Sequence, residues 1–268
     1  MKQNDFLPLK HFFILCISLL LLLSCDKPQP KDELKELLIY CGITMVKPIT
    51  EIARIMEKQE NIKIHISQGG SKDLYNSLKR SKVGDLYLPG SSSYREKNLA
   101  DGLLKDFQLV GYNQAAFMVK KGNPKNVNAD IKELLRKDIS IALCNPESGS
   151  IGRETKKILT YNKLFDEAMA NTAILNSDSR TLNNSLKNDI DLIINWRATA
   201  FFKDNIEHIQ VIDLPEEFIK PKKLQINLLS FSKHPEIAKR FMELSTSEKG
   251  QEIFRRYGFL DKDMNSIK

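Results

Sequence analysis

Hydroxyl side chains recur where an apolar, strand-like run of this sequence gives way to a helical pattern. Thr44, Ser71 and Ser148 each lie in such a turn, with Ser150 as the alternative to Ser148. A helix N-terminus presents unpaired N–H groups and a partial positive charge, and neutral hydroxyl donors can surround an ionised oxyanion without a countercharge. Each residue alone fits an ordinary helix cap or turn. Their recurrence at equivalent turns predicts an anion-binding site.

These turns connect apolar runs that alternate with helical patterns. The first half predicts strands at 37–40, 62–66 and 85–88, and helices with apolar faces at 49–56 and 74–78. The second half predicts strands at 115–119, 139–143, 192–195 and 224–231, and helices at 131–135, from 151, at 235–244 and at 248–257. The alternation predicts an α/β fold with parallel, doubly wound sheets in two units. Ligands of such sheets bind beyond the carboxyl ends of the strands, where the hydroxyl residues stand.

Five segments of the chain resemble, in order, a known protein family. They are 40–56 (YCGITMVKPITEIARIM), 69–87 with GGS at its start and GDLY at its end, 146–153 (PESGSIGR), 191–196 (DLIINW) and 247–259 (SEKGQEIFRRYGF). The family is that of the periplasmic binding proteins of molybdate and tungstate ABC transporters, which are type II extracellular solute-binding proteins. The resemblance covers most of residues 36–260.

The resemblance implies an α/β, two-lobed periplasmic-binding-protein (type II) fold. Each lobe would be a doubly wound α/β sheet, and the ligand cleft would lie between the lobes. Lobe 1 would comprise residues 36–113 and 224–268, and lobe 2 would comprise residues 114–223. The cleft would close when a ligand contacts both lobes.

The resemblance also implies which residues contact the ligand. Thr44 and Ser71 would donate hydroxyl and backbone hydrogen bonds from lobe 1. Ser148 and Gly149 would present backbone N–H groups from lobe 2, with another N–H group near Ser179. All donors in this arrangement are neutral, and together they can surround the anion without a charged side chain.

Trp196 and three arginines depart from the family pattern. Trp196 stands in place of the family's tyrosine, and its indole can donate one hydrogen bond but lacks the phenol oxygen. It fits either a ligand contact or a wall of the cleft. Arg153, Arg180 and Arg197 fit solvated surface charges, whereas an arginine in the cleft would suit a phosphate or a carboxylate.

The amino terminus resembles a bacterial lipoprotein signal. Basic residues precede the apolar run 12–23, and the tetrapeptide LLSC ends at Cys25. We therefore expect cleavage after residues 1–24 and a lipid on Cys25. The alternative is a transmembrane anchor, but a span needs about 20 apolar residues. Residues 25–35 contain two prolines and alternating charges, so they are predicted to form a flexible tether.

Charge and cysteine usage narrow the class of protein. The formal net charge is +7, with acidic and basic residues interleaved along the chain. This pattern disfavours a nucleic-acid partner and favours a surface that faces an anionic membrane or attracts anions. Cys41 and Cys144 each end an apolar run. They could pair outside the cytoplasm, but we predict two buried free thiols.

The sequence thus predicts a binding protein, lipid-anchored on the periplasmic side of the cell membrane. It would capture a small tetrahedral oxyanion, molybdate or tungstate being favoured, for an ABC permease and ATPase complex. It would act as a monomer without a cofactor or a bound metal ion. The alternatives are a sensor for phosphate, sulfate or an organic acid that is not coupled to transport, and an enzyme on the same fold. The sequence has no G-x-S-x-G, H-E-x-x-H or phosphate-binding loop that would support an enzyme.

Overall fold

The computed structural model describes residues 34–148 and 150–266. The predicted signal peptide 1–24, Cys25, most of the predicted tether and Gly149 lie outside these ranges. No helix within the described ranges is long and apolar enough to span a membrane.

Two five-stranded sheets form the frame of the fold. The first sheet consists of β1 (Glu36–Gly42), β2 (Lys63–Gly69), β3 (Leu86–Leu88), β4 (Leu104–Asn113) and β10 (Lys222–Leu229), in the order β2-β1-β3-β10-β4. The second sheet consists of β5 (Ala115–Lys120), β6 (Ile141–Cys144), β7 (Ile174–Asn176), β8 (Leu192–Trp196) and β9 (Ile209–Ile212), in the order β7-β6-β8-β5-β9.

Both sheets are mixed rather than parallel throughout. β1 runs parallel to β2 and β3, but β10 runs antiparallel to β3 and β4. In the second sheet β6, β7 and β8 are parallel, whereas β5 is antiparallel to β8 and β9. The chain leaves the first sheet at the end of β4 and returns at the start of β10. Those ends pair at Asn113 and Lys222, so the two strands must run in opposite directions. The α/β class is confirmed, and the prediction of parallel sheets holds for the pairs β1–β2, β1–β3, β6–β7 and β6–β8 but fails for the pairs formed by β10 and β5.

Helices connect the strands and cover the sheets. The α-helices are α1 (Val46–Glu60), α2 (Ser71–Ser81), α3 (Ser93–Asn98), α4 (Ser150–Tyr161), α5 (Phe165–Ala170), α6 (Ser179–Lys187), α7 (Pro235–Thr246) and α8 (Glu248–Arg256). Short 3-10 helices lie at Ile43–Met45, Leu99–Asp101, Ile131–Leu135 and Arg197–Phe201. Strands β4, β7 and β9 are not predicted from the sequence, because each is partly exposed and lacks a long apolar run.

Each sheet packs against its helices through an apolar core. The first core joins Ile49 of α1 and Phe254 of α8 to the first sheet, and the second core joins Leu182 of α6 to Phe117 of β5. Ala198 follows β8 of the second sheet but packs into the first core. The predicted apolar face of α1 is confirmed, because its buried residues repeat at helical spacing. They are Ile49, Ile52, Ala53 and Met56, with Pro48 beside them.

The two cysteines in the described ranges lie in different sheets. Cys41 is in β1 and Cys144 is in β6, and both are buried and free. Burial raises the pKa of the Cys41 thiol, which keeps it protonated. The prediction of two buried free thiols is confirmed.

A buried arginine lies next to the point where the chain passes between the sheets. Arg197 is 3% exposed; its Nε donates to Asp213 Oδ1 at 2.8 Å and its Nη1 donates to the Gly258 carbonyl at 2.8 Å. Gln114, the single residue between β4 and β5, donates from Nε2 to the same Asp213 oxygen at 2.9 Å. The interpretation of Arg197 as a solvated charge is therefore wrong. Gly258 has a φ of +81°, and a Cβ there would come within 2.2 Å of the Phe201 ring.

Candidate functional site

A cavity of about 580 Å³ is lined mostly by residues of the turns and helices that adjoin the two sheets. The residues near the first sheet are Ile43, Thr44 and Lys47. Those near the second sheet are Ser150, Ile151, Asp178, Ser179, Arg180, Asn183, Asn184, Lys187, Trp196, Thr199, Phe202, Asp204 and Asn205. This volume is in the range of small-molecule binding sites.

Three helices begin at this cavity. The 3-10 turn that leads into α1 contributes Thr44, and α1 itself contributes Lys47 from its first turn. Ser150 is the first residue of α4, and Ser179 is the first residue of α6. The first N–H groups of a helix lack intrahelical partners and carry a partial positive charge. Their convergence makes the cavity suited to a negatively charged group.

A carboxylate offsets the charge at one of these helix ends. Asp178 is the N-cap of α6, and its Oδ1 accepts from the backbone N–H groups of Arg180 at 2.8 Å and Thr181 at 2.9 Å. The hydrogen bond from Thr181 is the main cause that lowers the pKa of Asp178, which therefore stays ionised at neutral pH. The second oxygen, Oδ2, accepts only from the Ser177 hydroxyl, at 3.3 Å, among the described residues.

Trp196 forms part of the wall of the cavity. Its side chain is 7% exposed, and its Nε1 donates to the Ser150 Oγ at 3.2 Å. The one hydrogen that the indole can donate is thus already used. Because the Ser150 oxygen accepts this bond, the Ser150 hydroxyl hydrogen is left to donate elsewhere. The geometry favours the wall interpretation of Trp196 and gives the donor role to Ser150.

Asn183 presents a buried amide to the cavity. It is 3% exposed, and its Oδ1 accepts from Asn195 Nδ2 at 2.7 Å. Asn195 is held in turn, because Nδ2 also donates to the Ser179 carbonyl and Oδ1 accepts from the Trp196 backbone N–H. These bonds leave the Asn183 Nδ2 group without an acceptor in the described part of the chain. Since Asn183 lines the cavity, its two N–H bonds are available to a ligand.

Charged side chains of both signs line the cavity. Lys47 lies with its Nζ 4.1 Å from the centre of the Phe202 ring, a cation–π contact between residues near different sheets. Lys187 donates from its Nζ to the Asp204 carbonyl at 2.6 Å. With Arg180, the lining has three cations against the carboxylates of Asp178 and Asp204, a small positive excess.

The chain matches the model of the bacterial extracellular solute-binding proteins over residues 37–260. It belongs to this family. A provisionally named binding protein from Haemophilus influenzae is 23% identical to this solute-binding protein over 231 residues, which are 84% of this chain and 91% of the relative.

Two solved structures show the same fold. The substrate-binding domain of a proposed molybdenum ABC transporter from Clostridium difficile has a TM-score of 0.73 at 20% identity, over 87% of this chain and 99% of that one. The sulfate-binding protein SubI from Mycobacterium tuberculosis has a TM-score of 0.67 at 15% identity, over 85% of this chain and 88% of that one. These likenesses confirm the two-lobed periplasmic-binding-protein (type II) fold.

The cavity of this solute-binding protein brings together part of the predicted ligand set. Thr44, Ser179 and Trp196 line it. The Thr44 hydroxyl donates to the Met45 sulfur at 2.9 Å, a weak acceptor that a ligand oxygen can replace. Gly149 lies outside the described ranges.

Ser71 and Ser148 lie where β2 and β6 give way to helices, but they are not among the described residues that line the cavity. The Ser71 Oγ accepts from the Gly90 N–H at 3.0 Å. The Ser148 hydroxyl donates to the Ser177 carbonyl at 2.8 Å. Each hydroxyl therefore links its own turn to a second turn: Ser71 to the turn at Gly90, and Ser148 to the turn at Ser177. Their role as ligand contacts stays a prediction.

Several lining residues are missed by the sequence reasoning. Asn183 lies one turn after Ser179 in α6, and this i, i+4 spacing places both on one face of the helix. Asp178 with Thr181 forms a capping box, which the sequence signals as an acidic cap followed three residues later by a hydroxyl. Lys47 and Lys187 have no such signal, because lysines on exposed helix faces are common.

Arg153 is exposed and matches the prediction of a solvated charge, whereas Arg180 is exposed but lies at the cavity, where an arginine would suit a phosphate or a carboxylate. Arg153 lies beside a second, open hollow of about 630 Å³ along α4. Within residues 34–148 and 150–266, no group of three or more His, Cys, Asp or Glu side chains could hold a metal ion.

Proposed function

We propose that this protein is a lipid-anchored extracytoplasmic receptor that captures a small anion bearing an oxyanion group and delivers it to an ABC importer. The observation that carries the proposal is the convergence of three helix N-termini on one cavity between the lobes. Such N-termini attract anions through N–H groups and the helix dipole. Membership of the solute-binding family supports binding rather than catalysis.

The donors for the oxyanion come from both lobes. We assign this role to the hydroxyl groups of Thr44 and Ser150, the Ser179 backbone N–H and the Asn183 amide, with Lys47 as a nearby cation. A ligand that contacts Thr44 on one side and Asn183 on the other favours the closed arrangement of the lobes. Closure is the signal by which such a receptor would be recognised by its permease.

Two observations support an oxyanion as the ligand: the sequence resemblance and the names of two solved relatives. The sequence resemblance favours molybdate or tungstate, and the solved relatives are named for molybdenum and for sulfate. These two names differ on the ion. Molybdate, tungstate, sulfate and phosphate are therefore the first ligands to measure. A lipid on Cys25 would keep the receptor at the membrane beside the importer.

The single tryptophan of the chain provides the experiment. Trp196 is in the wall of the cavity, so its fluorescence should change when an anion binds next to Ser150. The purified full chain would be titrated with each anion, and calorimetry would measure the same affinities. We expect a saturable change with at least one oxyanion-bearing ligand. If neither inorganic oxyanions nor organic phosphates and carboxylates produce a response, the proposed function is wrong.

A further inference from the structure

The cavity is large for a bare tetrahedral ion. Four oxygen atoms, each given the share of about 30 Å³ that a water molecule occupies, fill roughly 120 Å³. The cavity holds about 580 Å³. Its walls include aromatic and aliphatic surface from Trp196, Phe202 and Ile43 as well as polar groups. In the arrangement of the lobes that the structure shows, there is room for an organic body beside the anionic group.

Two carboxylates in the lining conflict with an ion that only accepts hydrogen bonds. Asp178 and Asp204 both line the cavity, and both belong to the second lobe, so their presence there does not depend on how far the lobes close. An ionised carboxylate accepts hydrogen bonds but donates none, and the same is true of sulfate and molybdate. Such an ion would gain no hydrogen bond from these two residues, and their charge would offset part of its attraction to Lys47, Arg180 and Lys187.

The Asp178 carboxylate has one oxygen to spare. Oδ1 caps α6 through two backbone N–H groups, whereas Oδ2 accepts only from the Ser177 hydroxyl, at 3.3 Å, in the described part of the chain. The Asp204 side chain accepts no hydrogen bond from the described residues, since Lys187 uses its backbone carbonyl. These carboxylate oxygens are acceptors that a ligand with its own O–H groups would satisfy.

Given the proposed function, on which this inference rests, we propose that the ligand is a hydroxylated organic anion rather than a bare tetraoxyanion. Its phosphate or carboxylate group would bind at the helix N-termini with the Asn183 amide, which is 3% exposed and has no acceptor among the described residues. Its hydroxyl groups would donate to Asp178 and Asp204. Its carbon skeleton would lie along Trp196 and Phe202.

Matched ligand pairs test this proposal. The full chain would be titrated at about pH 8, where a phosphate ester carries close to two negative charges, with sn-glycerol 3-phosphate against propyl phosphate and with glycerate against propionate. The members of each pair differ only in hydroxyl groups. We expect the hydroxylated member of at least one pair to bind about ten- to a hundredfold more tightly, the effect of hydrogen bonds to charged groups. Sulfate and molybdate should bind more weakly than that ligand.

The substitution Asp178→Asn gives an independent readout. Asparagine caps helices as well as aspartate does, so the helix should persist. The spare acceptor becomes an amide donor and a negative charge is removed. We expect the preference for the hydroxylated ligand to fall at least tenfold, while sulfate and molybdate gain affinity. Asp204→Asn is the second variant, with the same expected direction.

The outcomes separate the two proposals. If sulfate or molybdate binds and neither hydroxylated anion binds more tightly than its matched partner, the inference is wrong and the proposed function stands. If Asp178→Asn and Asp204→Asn both leave the hydroxyl preference unchanged, the assignment of the carboxylates is wrong. If no anion of any kind binds, the proposed function itself fails, and the inference fails with it.

Discussion

At the scale of single residues, the orientation of one amide sets which of its atoms faces the cavity. Asn195 fixes the oxygen of Asn183, so the Asn183 Nδ2 group is left for a ligand. Because this nitrogen is not among the fully buried polar atoms that lack a partner, it is open to the cavity and can reach water or a ligand. Since Asn195 holds its oxygen, the amide keeps its orientation, whereas the hydroxyl groups can rotate toward nearby carbonyls.

The substitution Asn183→Asp tests that amide. An aspartate keeps the oxygen that accepts from Asn195, but it replaces the donor with a negative charge. We expect anion affinity to fall about 10- to 150-fold, the range of about 1.5–3 kcal/mol for hydrogen bonds to charged groups. Asn184→Asp is the control, because the exposed Asn184 also lines the cavity and its replacement by aspartate adds the same charge. Equal losses in both variants, measured by calorimetry, would show that charge alone matters.

The sequence predicts the residues of the site only in part. Thr44, Ser179 and Trp196 are found at the cavity because strand-to-helix turns fix their backbone positions. Ser148 follows such a turn as well, yet its hydroxyl bonds to the Ser177 carbonyl. Rotation about one side-chain bond decides between these outcomes, and no sequence pattern encodes it. Asn183 is missed because an asparagine within a helix has no signature of its own.

At the scale of elements, the cap of α6 links helix stability to the charge of the cavity. The pKa of Asp178 is lowered in the folded protein, chiefly by the hydrogen bond from Thr181. A carboxylate with a lowered pKa stabilises the fold above its usual pKa, and this contribution is lost as the pH falls through the lowered value. The helix that presents Ser179 and Asn183 should therefore weaken in acid.

Urea unfolding of two variants measures the cap. Asp178→Ala should lower the free energy of unfolding at neutral pH by about 0.5–2 kcal/mol, as N-cap removal does. Asp178→Asn should change it much less. The difference between the natural chain and Asp178→Ala should shrink as the pH is lowered into the range where aspartate is protonated. A difference that is constant with pH would contradict the assignment of the stabilisation to the ionised carboxylate.

At the scale of the whole molecule, the buried Arg197 connects the chain crossing to the carboxyl-terminal segment. Arg197 bonds to Asp213 and to the Gly258 carbonyl. The Asp213 side chain is 43% exposed, so water weakens the pair to some extent. Ala198, the next residue, belongs to the first core although it follows a strand of the second sheet. The lobes are therefore coupled by packing as well as by the chain.

Removing the Asp213 carboxylate should destabilise the protein as a whole. Asp213→Ala removes the carboxylate that accepts from Arg197 Nε, and we expect the free energy of unfolding to fall by about 1.5–3 kcal/mol, as for the loss of a hydrogen bond to a charged group. Asp138→Ala is the matched control, because Asp138 pairs with Arg136 at the surface and should contribute much less. Urea denaturation of both variants makes the comparison. Equal losses of unfolding free energy would mean that the Arg197–Asp213 pair beside the chain crossing contributes no more to stability than the surface pair Arg136–Asp138.

The fold is predicted from the sequence better than the pairing of its strands. Helical and strand patterns place α1, α7 and α8 and six buried strands close to their observed bounds, because apolar periodicity reports burial directly. The direction of β10 is not encoded locally. It follows from the register of Lys222 with Asn113, a contact between segments that are distant in sequence.

The central position of β10 also affects when this chain can fold. β10 lies between β3 and β4, so the first sheet stays open until the ribosome has made residues 222–229. Chains with late, long-range strand pairing fold slowly, because loop closure must precede the favourable contacts. A protein that is threaded through a membrane channel must remain unfolded until it has crossed. The order of strands in the first sheet postpones folding in the way that such a passage requires.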